Sequence, residues 1–385
     1  MGAEARLMSV KAMLEVKEGD VVMALREFLR RLLEAQVVDA LLVPLELPSG
    51  DAVVQTLIKD PDRLANANPL APVMMVNSAK LVSSLTRRGN REKVGVVLKS
   101  CEMRALIELV KLQQATLENL VTLGIDCLGS YEATQYAQLS SELDDGAGPS
   151  TEQLQAARGG QVMPLNGYEF RAACQICEHP TAANADINIG LFGVDTETAI
   201  LLEMEEEIGQ EVVEKLGLQE GDAPGREEAV ANLVSGREKA RDEAFARFHE
   251  TVKDASTLLA QFSTCIACHN CAQACPICYC KECIFETDTF RHPSDRYLLW
   301  ADRKGAARMP SDTLLFQLTR MNHMVTSCVG CGMCESACPS DLPLTLMFRA
   351  VGEKVQELFG YLPGGSLEEE LPVATFKEDE FPEYK

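Results

Sequence analysis

The sequence predicts an α/β (α+β) domain, then a helical linker, then a cysteine-rich domain carrying a helical insert. Three observations predict it. Residues 1–200 alternate short β-like runs ("VVDALLVPLEL", "KVGVVLKS", "NLVTLGIDC", "INIGLFGV") with helical patterns such as "EMRALIELVKLQQ", the alternation of an α/β domain. Residues 201–260 are charged and helical in period, broken only at "GDAPG". From 261 onward cysteines crowd the chain, seven of them within residues 265–283.

Taken in order, each segment has its reason. Within the first domain a polar stretch, "SSELDDGAGPSTEQ" at 140–153, reads as a surface loop. The 201–260 segment reads as helices carrying the chain from one domain to the next. Residues 261–350 hold two cysteine runs, and the end, 351–385, is acidic with scattered apolar residues, expected to lie extended or on a partner.

Composition excludes several classes. The chain has 385 residues, 46% hydrophobic and 24% charged, enough to build real cores. A formal charge of -22 argues against nucleic acid, since phosphate binding needs a basic surface. No run approaches the roughly 18 to 20 apolar residues of a membrane helix, and the start lacks the apolar block of a signal peptide. The expectation is a cytoplasmic protein without a transmembrane segment. Fifteen cysteines, an odd number gathered in CxxC units, point to metal rather than disulfides.

Cys265, Cys268, Cys271 and Cys275 before Pro276 give C-x2-C-x2-C-x3-C-P, and Cys328, Cys331, Cys334 and Cys338 before Pro339 repeat it. This is the two-cluster ferredoxin signature, in which the fourth cysteine of each run ligates the other cluster. Cys265, Cys268, Cys271 and Cys338 would then hold one [4Fe-4S] cluster, and Cys328, Cys331, Cys334 and Cys275 the other. Zinc also uses CxxC pairs, but two complete four-ligand repeats ending in Cys-Pro favour iron and sulfide. The insert between the runs begins "PICYCKEC", so Cys278, Cys280 and Cys283 could substitute as ligands or sit as buried thiols, the reading preferred here.

Four cysteines remain. Cys101 ends the strand-like "KVGVVLKSC" and Cys127 ends "NLVTLGIDC", so both emerge at the C-terminal sheet edge where α/β domains place ligands. Cys174 and Cys177, in "CQICEH", supply two more thiolates for a third cluster, which spacing alone leaves open. His179 and His269 border these motifs without being needed as ligands. Lys99, Ser100, Glu102 and Arg104 flank Cys101 and share its sheet edge; solvated helix-flank charges are the plainer alternative for Lys99 and Arg104. No GxGxxG follows a strand. No catalytic triad or carboxylate pair stands out, and no catalytic residue is assigned.

Residues "GVVLKSCEMRALIELVKL", "GIDC" and "CQICEHPTAANADINIG" resemble the beta subunits of coenzyme F-420-reducing hydrogenase and related formate dehydrogenases, over about residues 20–200. The formate dehydrogenase type also carries two C-terminal ferredoxin motifs. The resemblance implies an FAD-binding domain (1–200) with its own [4Fe-4S] cluster on Cys101, Cys127, Cys174 and Cys177. It places Asn77, Ser78, Lys80, Asp186, Asn188, Gly190 and Gly193 in cofactor-facing loops, with a loop cap the plainer role for Asp186. It further implies coenzyme F-420 or NAD(P) as hydride partner. The catalytic partner would be a formate dehydrogenase or hydrogenase subunit, with a heterodisulfide-reductase-like electron-transfer complex another candidate. The expected organisation is therefore a flavin domain (1–200), a helical linker (201–260), a ferredoxin-like two-[4Fe-4S] domain with helical insert (261–350) and an acidic tail (351–385).

Overall fold

A computed structural model of the chain describes residues 8–143, 148–158, 162–305, 311–372 and 374–375. Its centre is an eight-stranded sheet in the order β3-β2-β4-β5-β6-β7-β1-β8. The strands are β1 (Met8–Glu15), β2 (Ala40–Glu46), β3 (Val53–Ile58), β4 (Val94–Lys99), β5 (Leu120–Ile125), β6 (Ile187–Gly190), β7 (Ala199–Glu205) and β8 (Gln219–Glu220). Strands β2, β4, β5 and β6 run parallel, and the remaining pairings are antiparallel.

Helices cover both faces. Within the sheet domain they are α1 (Val21–Glu34), α2 (Ser78–Thr86), α3 (Ser100–Lys111), α4 (Ala133–Glu142), α5 (Gly148–Ala157), α6 (Ala172–Gln175) and α7 (Glu206–Leu216). The chain continues through α8 (Arg226–Thr251), α9 (Ala255–Gln261), α10 (Asn270–Ala274), α11 (Ser294–Lys304), α12 (Ser311–Met324), α13 (Met333–Ser336) and α14 (Leu344–Phe359). Helix α1 starts where the Asp20 side chain accepts the Met23 N–H at 2.9 Å, and it buries Leu25, Phe28, Leu29 and Leu32 at helical spacing.

The parallel strands are apolar on both faces, and alternate residues serve different cores. From β2, Leu41 and Val43 join the core under α1, while Ala40 and Leu42 join the core under α2 and α3. From β4, Val97 faces the first and Val96 and Leu98 the second. The second core does not stop at the sheet domain; it runs on through Phe262, Ile277, Phe316 and Phe348 of the cysteine-rich half. The two halves are thus joined by continuous apolar packing.

Three expectations need correcting. The boundary at 200 falls inside the sheet: β7 pairs with both β1 and β6, and α7 packs on β1. The apolar alternation of "AILLEME" belongs to a strand, so the helical connection begins only at Arg226. The stretch 140–153 is not all loop. Gln153 of α5 is fully buried, accepting the Tyr131 hydroxyl at 2.6 Å and donating to the Met163 carbonyl at 2.8 Å.

The acidic tail expected from 351 opens inside α14, and its next residues fold back as a strap over α3. Tyr361 donates its hydroxyl to Glu108 Oε1 at 2.5 Å and Gly364 N donates to the same oxygen at 2.8 Å. Arg104 Nε donates to the Pro363 carbonyl at 2.9 Å, and Lys111 Nζ donates to the Tyr361 hydroxyl at 2.7 Å. Gly364 has φ +68, and a Cβ there would lie 2.5 Å from the Arg104 Cα, so this crossing admits only glycine. Residues 376–385 of the tail lie outside the described residues. Among the described residues no helix is long and apolar enough to cross a membrane.

Candidate metal centres

Twelve cysteines gather in three sets of four. Cys101 opens α3 directly after β4, and Cys127 follows β5. Cys174 sits on the one-turn helix α6 and Cys177 two residues beyond it. All four line one cavity at the C-terminal edge of the parallel strands, with Ser100, Ser130, His179 and Arg237. The Oγ atoms of Ser100 and Ser130 are buried without a hydrogen-bond partner. Two orphaned hydroxyls beside four thiols are the surroundings of a site that takes a polar, sulfur-rich occupant.

A buried lattice fixes the Cys127 loop. Arg226 Nη1 and Nη2 donate to Asp126 Oδ2 and Oδ1 at 2.6 and 3.0 Å, and its Nε donates to Glu203 Oε2 at 2.8 Å. Asp126 also accepts the backbone N–H groups of Leu191 and Phe192 at 2.8 and 3.1 Å. Neither charge is left unpaired, which is what makes the burial tolerable.

The C-terminal runs adopt the cross-paired arrangement that their spacing predicts. Cys275, Cys328, Cys331 and Cys334 line one cavity; Cys265, Cys268, Cys271 and Cys338 line another. Helices α10 and α13 pack on each other. The two runs share a backbone device: Ala267 and His269 have φ of 54 and 60, and Gly330 and Gly332, at the matching positions, have 70 and 72. Each turn swings the chain so that successive cysteines face one cavity. His269 additionally stacks on Phe316 at 4.2 Å between ring centroids.

The chemistry of these thiols is set by depth. Burial pushes Cys101 well above the usual thiol range and lifts Cys127 and Cys331 to about 12. Cys177, Cys271, Cys328 and Cys334 rise for the same reason. Thiolates at these positions need a positive charge among them, which a bound metal would supply while displacing the protons. Among the described residues no three His, Cys, Asp or Glu side chains converge closely enough to hold a single ion.

The three cavities lie in a row. Gly330 and Cys331 line both the proximal cavity and that of Cys275, Cys328 and Cys334. The quartet with Cys265 and Cys268 stands at the far end, where Cys268 is exposed. Arginines hold the row together. Arg171, buried beside Cys174, donates from Nη2 to the Cys331 carbonyl at 3.1 Å and from Nε to Ser336 Oγ at 3.0 Å. Arg349 of α14 donates to the Ile176 carbonyl at 2.7 Å and to Glu178 Oε1 at 2.5 Å. Gly332 lets the halves close: a Cβ there would collide with that of Ala173.

The residues expected around a flavin separate into three groups. Around the starts of α2 and α3, Ser78 donates both N–H and hydroxyl to Glu102 Oε1 at 2.8 and 2.5 Å, and Lys99 N donates to Glu102 Oε2 at 2.8 Å. Asn77 caps α2 through Ala79 N at 3.1 Å and leaves its Nδ2 orphaned, while Lys99 Nζ donates to the Ala71 carbonyl at 3.1 Å. Lys80 and Arg104 reach the cysteine-rich half, at the Gln273 and Val329 carbonyls. On the other side, Asp186 accepts from Thr122 N and Oγ1 at 2.7 and 2.8 Å, and Asn188 Nδ2 donates to Glu203 at 3.3 Å. Gly190 and Gly193 lie against Arg226.

Gly193 also lines a separate cavity of about 320 Å³, with Leu128, Arg158, Phe192, Thr196 and Leu233. It adjoins the proximal cavity along one stretch of chain and one helix. Leu128 faces the first and Gly129 the second; on α8, Leu233 faces the first and Arg237 the second.

Cys278, Cys280 and Cys283 line none of the three thiol cavities. Burial lifts Cys278 to about 11, and Cys280 is exposed. His179 lines the proximal cavity, where burial and then the Arg104 charge hold it down to about 3, a neutral imidazole at physiological pH. Sequence reasoning missed Arg171, Arg226, Arg320 and Arg349. For Arg171, Arg320 and Arg349 the only signal was contrast, as basic residues near the cysteine motifs of a strongly acidic chain; Arg226 had none.

A sheet domain with a thiol-lined edge, packed on a doubled cysteine motif, defines an iron-sulfur protein. Residues 261–342 match the 4Fe-4S dicluster domain, and residues 91–221 match the coenzyme F420 hydrogenase/dehydrogenase beta subunit at its C terminus. The chain is similar to that beta-subunit family over residues 91–221. It is 27% identical to the F420-dependent formate dehydrogenase subunit beta of Methanocaldococcus jannaschii, covering 90% of this chain and 92% of that protein. To the F420-dependent formate dehydrogenase 1 subunit beta of Methanococcus maripaludis it is 28% identical, covering 93% and 94%. A chain of the F420-reducing [NiFe] hydrogenase complex of Methanosarcina barkeri overlaps at TM-score 0.44 and 14% identity, over 62% of this chain and 92% of that one.

Proposed function

We propose that this chain is the electron-transfer subunit of a formate dehydrogenase-type oxidoreductase complex, with the formate site on another subunit. The observation that carries the reading is the set of three four-cysteine cavities, the proximal and central ones sharing Cys331 and the third following from the packing of α10 on α13. Two relatives that align over 90% and 93% of this chain are F420-dependent formate dehydrogenase beta subunits, which favours F420 as the soluble hydride carrier. FAD is assigned to the region beside the proximal quartet, with the 320 Å³ cavity taking its ring system and the rest of the cofactor lying outside it. When bound, the flavin supplies exchange of hydride with the carrier and the clusters supply one-electron transfer.

The protein's own residues do the positioning. Cys101, Cys127, Cys174 and Cys177 would hold the proximal cluster; the two cross-paired quartets would hold the others. Asp126 and Arg226 fix the Cys127 loop that separates flavin from cluster, and α8 seals both cavities with Leu233 and Arg237. Arg171 and Arg349 keep the proximal and central quartets adjacent. The exposed Cys268 end is where electrons pass to or from a partner.

The test is an anoxic titration of chain reconstituted with iron, sulfide and FAD. Reduced F420, with NADH and NADPH in parallel, should bleach flavin and cluster absorbance with F420 alone. No bleaching by any donor, in protein whose flavin and clusters respond to dithionite, would reject a soluble hydride carrier and leave a conduit between subunits.

A further inference from the structure

The long insert between the two cysteine runs contributes a helix, α12, whose side chains reach both C-terminal quartets. Gln317 Nε2 donates to Cys265 Sγ at 3.6 Å. Three residues on, and so on the same face, Arg320 lines the cavity of Cys275, Cys328, Cys331 and Cys334. Arg320 is 4% exposed, with its guanidinium stacked 4.5 Å from the centre of the Phe348 ring of α14. Its Nε and Nη1 are buried and meet no acceptor among the described residues. A buried guanidinium with two unanswered donors is expensive unless an anion is expected there. The groups at hand are sulfurs: Arg320 lines the cavity of one quartet, and Cys271, one turn of chain before Cys275, lines that of the other.

We infer that Arg320 is the fixed cation that sets the reduction potentials of the two C-terminal clusters, a positioning residue placed between them by the insert. The inference rests on the iron-sulfur reading of those quartets. Each cluster gains one electron and no proton on reduction, so its negative charge rises by one. A full positive charge held in a dry interior favours the reduced form of both neighbours and eases the repulsion between their added electrons. Charge is one of the protein's means of setting such potentials, and Arg320 supplies it. Gln317 serves the outer quartet as a neutral donor only.

The experiment is a potentiometric titration followed by electron paramagnetic resonance on the full chain, anoxically loaded and assayed for iron. Arg320→Met should lower the reduced-to-oxidised ratio of the two C-terminal clusters at a fixed poise at least tenfold, about 59 mV for one electron. Arg320→Lys, which keeps the charge, should shift them by less than tenfold. The proximal cluster, whose cavity Arg320 does not line, should titrate as in the unaltered chain. Wild-type potentials in an iron-replete Arg320→Met protein would overturn the inference. So would an equal shift of all three clusters, or a Lys variant displaced as far as Met. If neither Arg320→Met nor Arg320→Gln holds its iron, the residue is a structural strut and the inference also falls. An unaltered chain that takes up no iron would instead sink the iron-sulfur reading, and this inference with it.

Discussion

A thiol surrounded by apolar atoms resists ionisation, so the quartets act as ligand sets only when iron replaces their protons. Cys127→Ser should therefore remove one cluster of three, lowering iron from about twelve to about eight atoms per chain by colorimetric assay. The signals of the two C-terminal clusters should survive. Ala267 shows a different side of residue-scale economy. It adopts a left-handed φ of 54 where the second repeat has Gly330. Ala267→Gly should relieve strain of about 1 kcal/mol and raise the melting temperature of the loaded protein by about one degree. At this scale the sequence spoke clearly wherever ligation demands fixed local spacing, as in the eight cysteines of the two runs. It was silent on Arg320 and Arg171, because an arginine's letter does not reveal whether it is solvated or buried against sulfur.

Strand ends, rather than strands, carry the site. The apolar runs "KVGVVLKS" and "NLVTLGIDC" could be read as parallel strands whose C-terminal ends deliver Cys101 and Cys127, and β4 and β5 do so. What could not be read was the anchor of the second end, since Asp126 and Arg226 stand 100 residues apart. Asp126→Asn leaves Arg226 with one buried carboxylate instead of two, and should cost about 3 kcal/mol in urea unfolding. The same substitution should loosen the Cys127 loop and lower proximal cluster occupancy. The boundary expected at 200 failed for an element-scale reason. A strand that closes the antiparallel side of a sheet, β7, is followed at once by α7, and the charged helical period of α7 masked it.

The molecule as a whole is a sheet domain and a cysteine-rich domain sharing one apolar core, a junction crossed by arginines, and a strap that returns across α3. The paired domains were legible from motif and alternation; their contact was not, because a shared core has no local sequence period. Gly364→Val places side-chain atoms where the Arg104 backbone lies and should free the strap. The expected result is rapid tryptic cleavage after Lys354 in the variant and resistance in the parent, with cluster content unchanged. Removal of iron by a chelator under denaturant-free conditions should be felt more widely. It leaves a row of buried, proton-bearing thiols around empty space, and the cysteine-rich half should lose near-ultraviolet dichroism before the sheet domain does.

The strap also imposes a sequence of events on a newly made chain. Residues 361–366 bind Arg104, Glu108, Lys111 and Asn184, all synthesised long before them. Until those late residues are made, the crossing over α3 lacks its strap, and the two halves are joined by their shared apolar core and by Arg171 and Arg349.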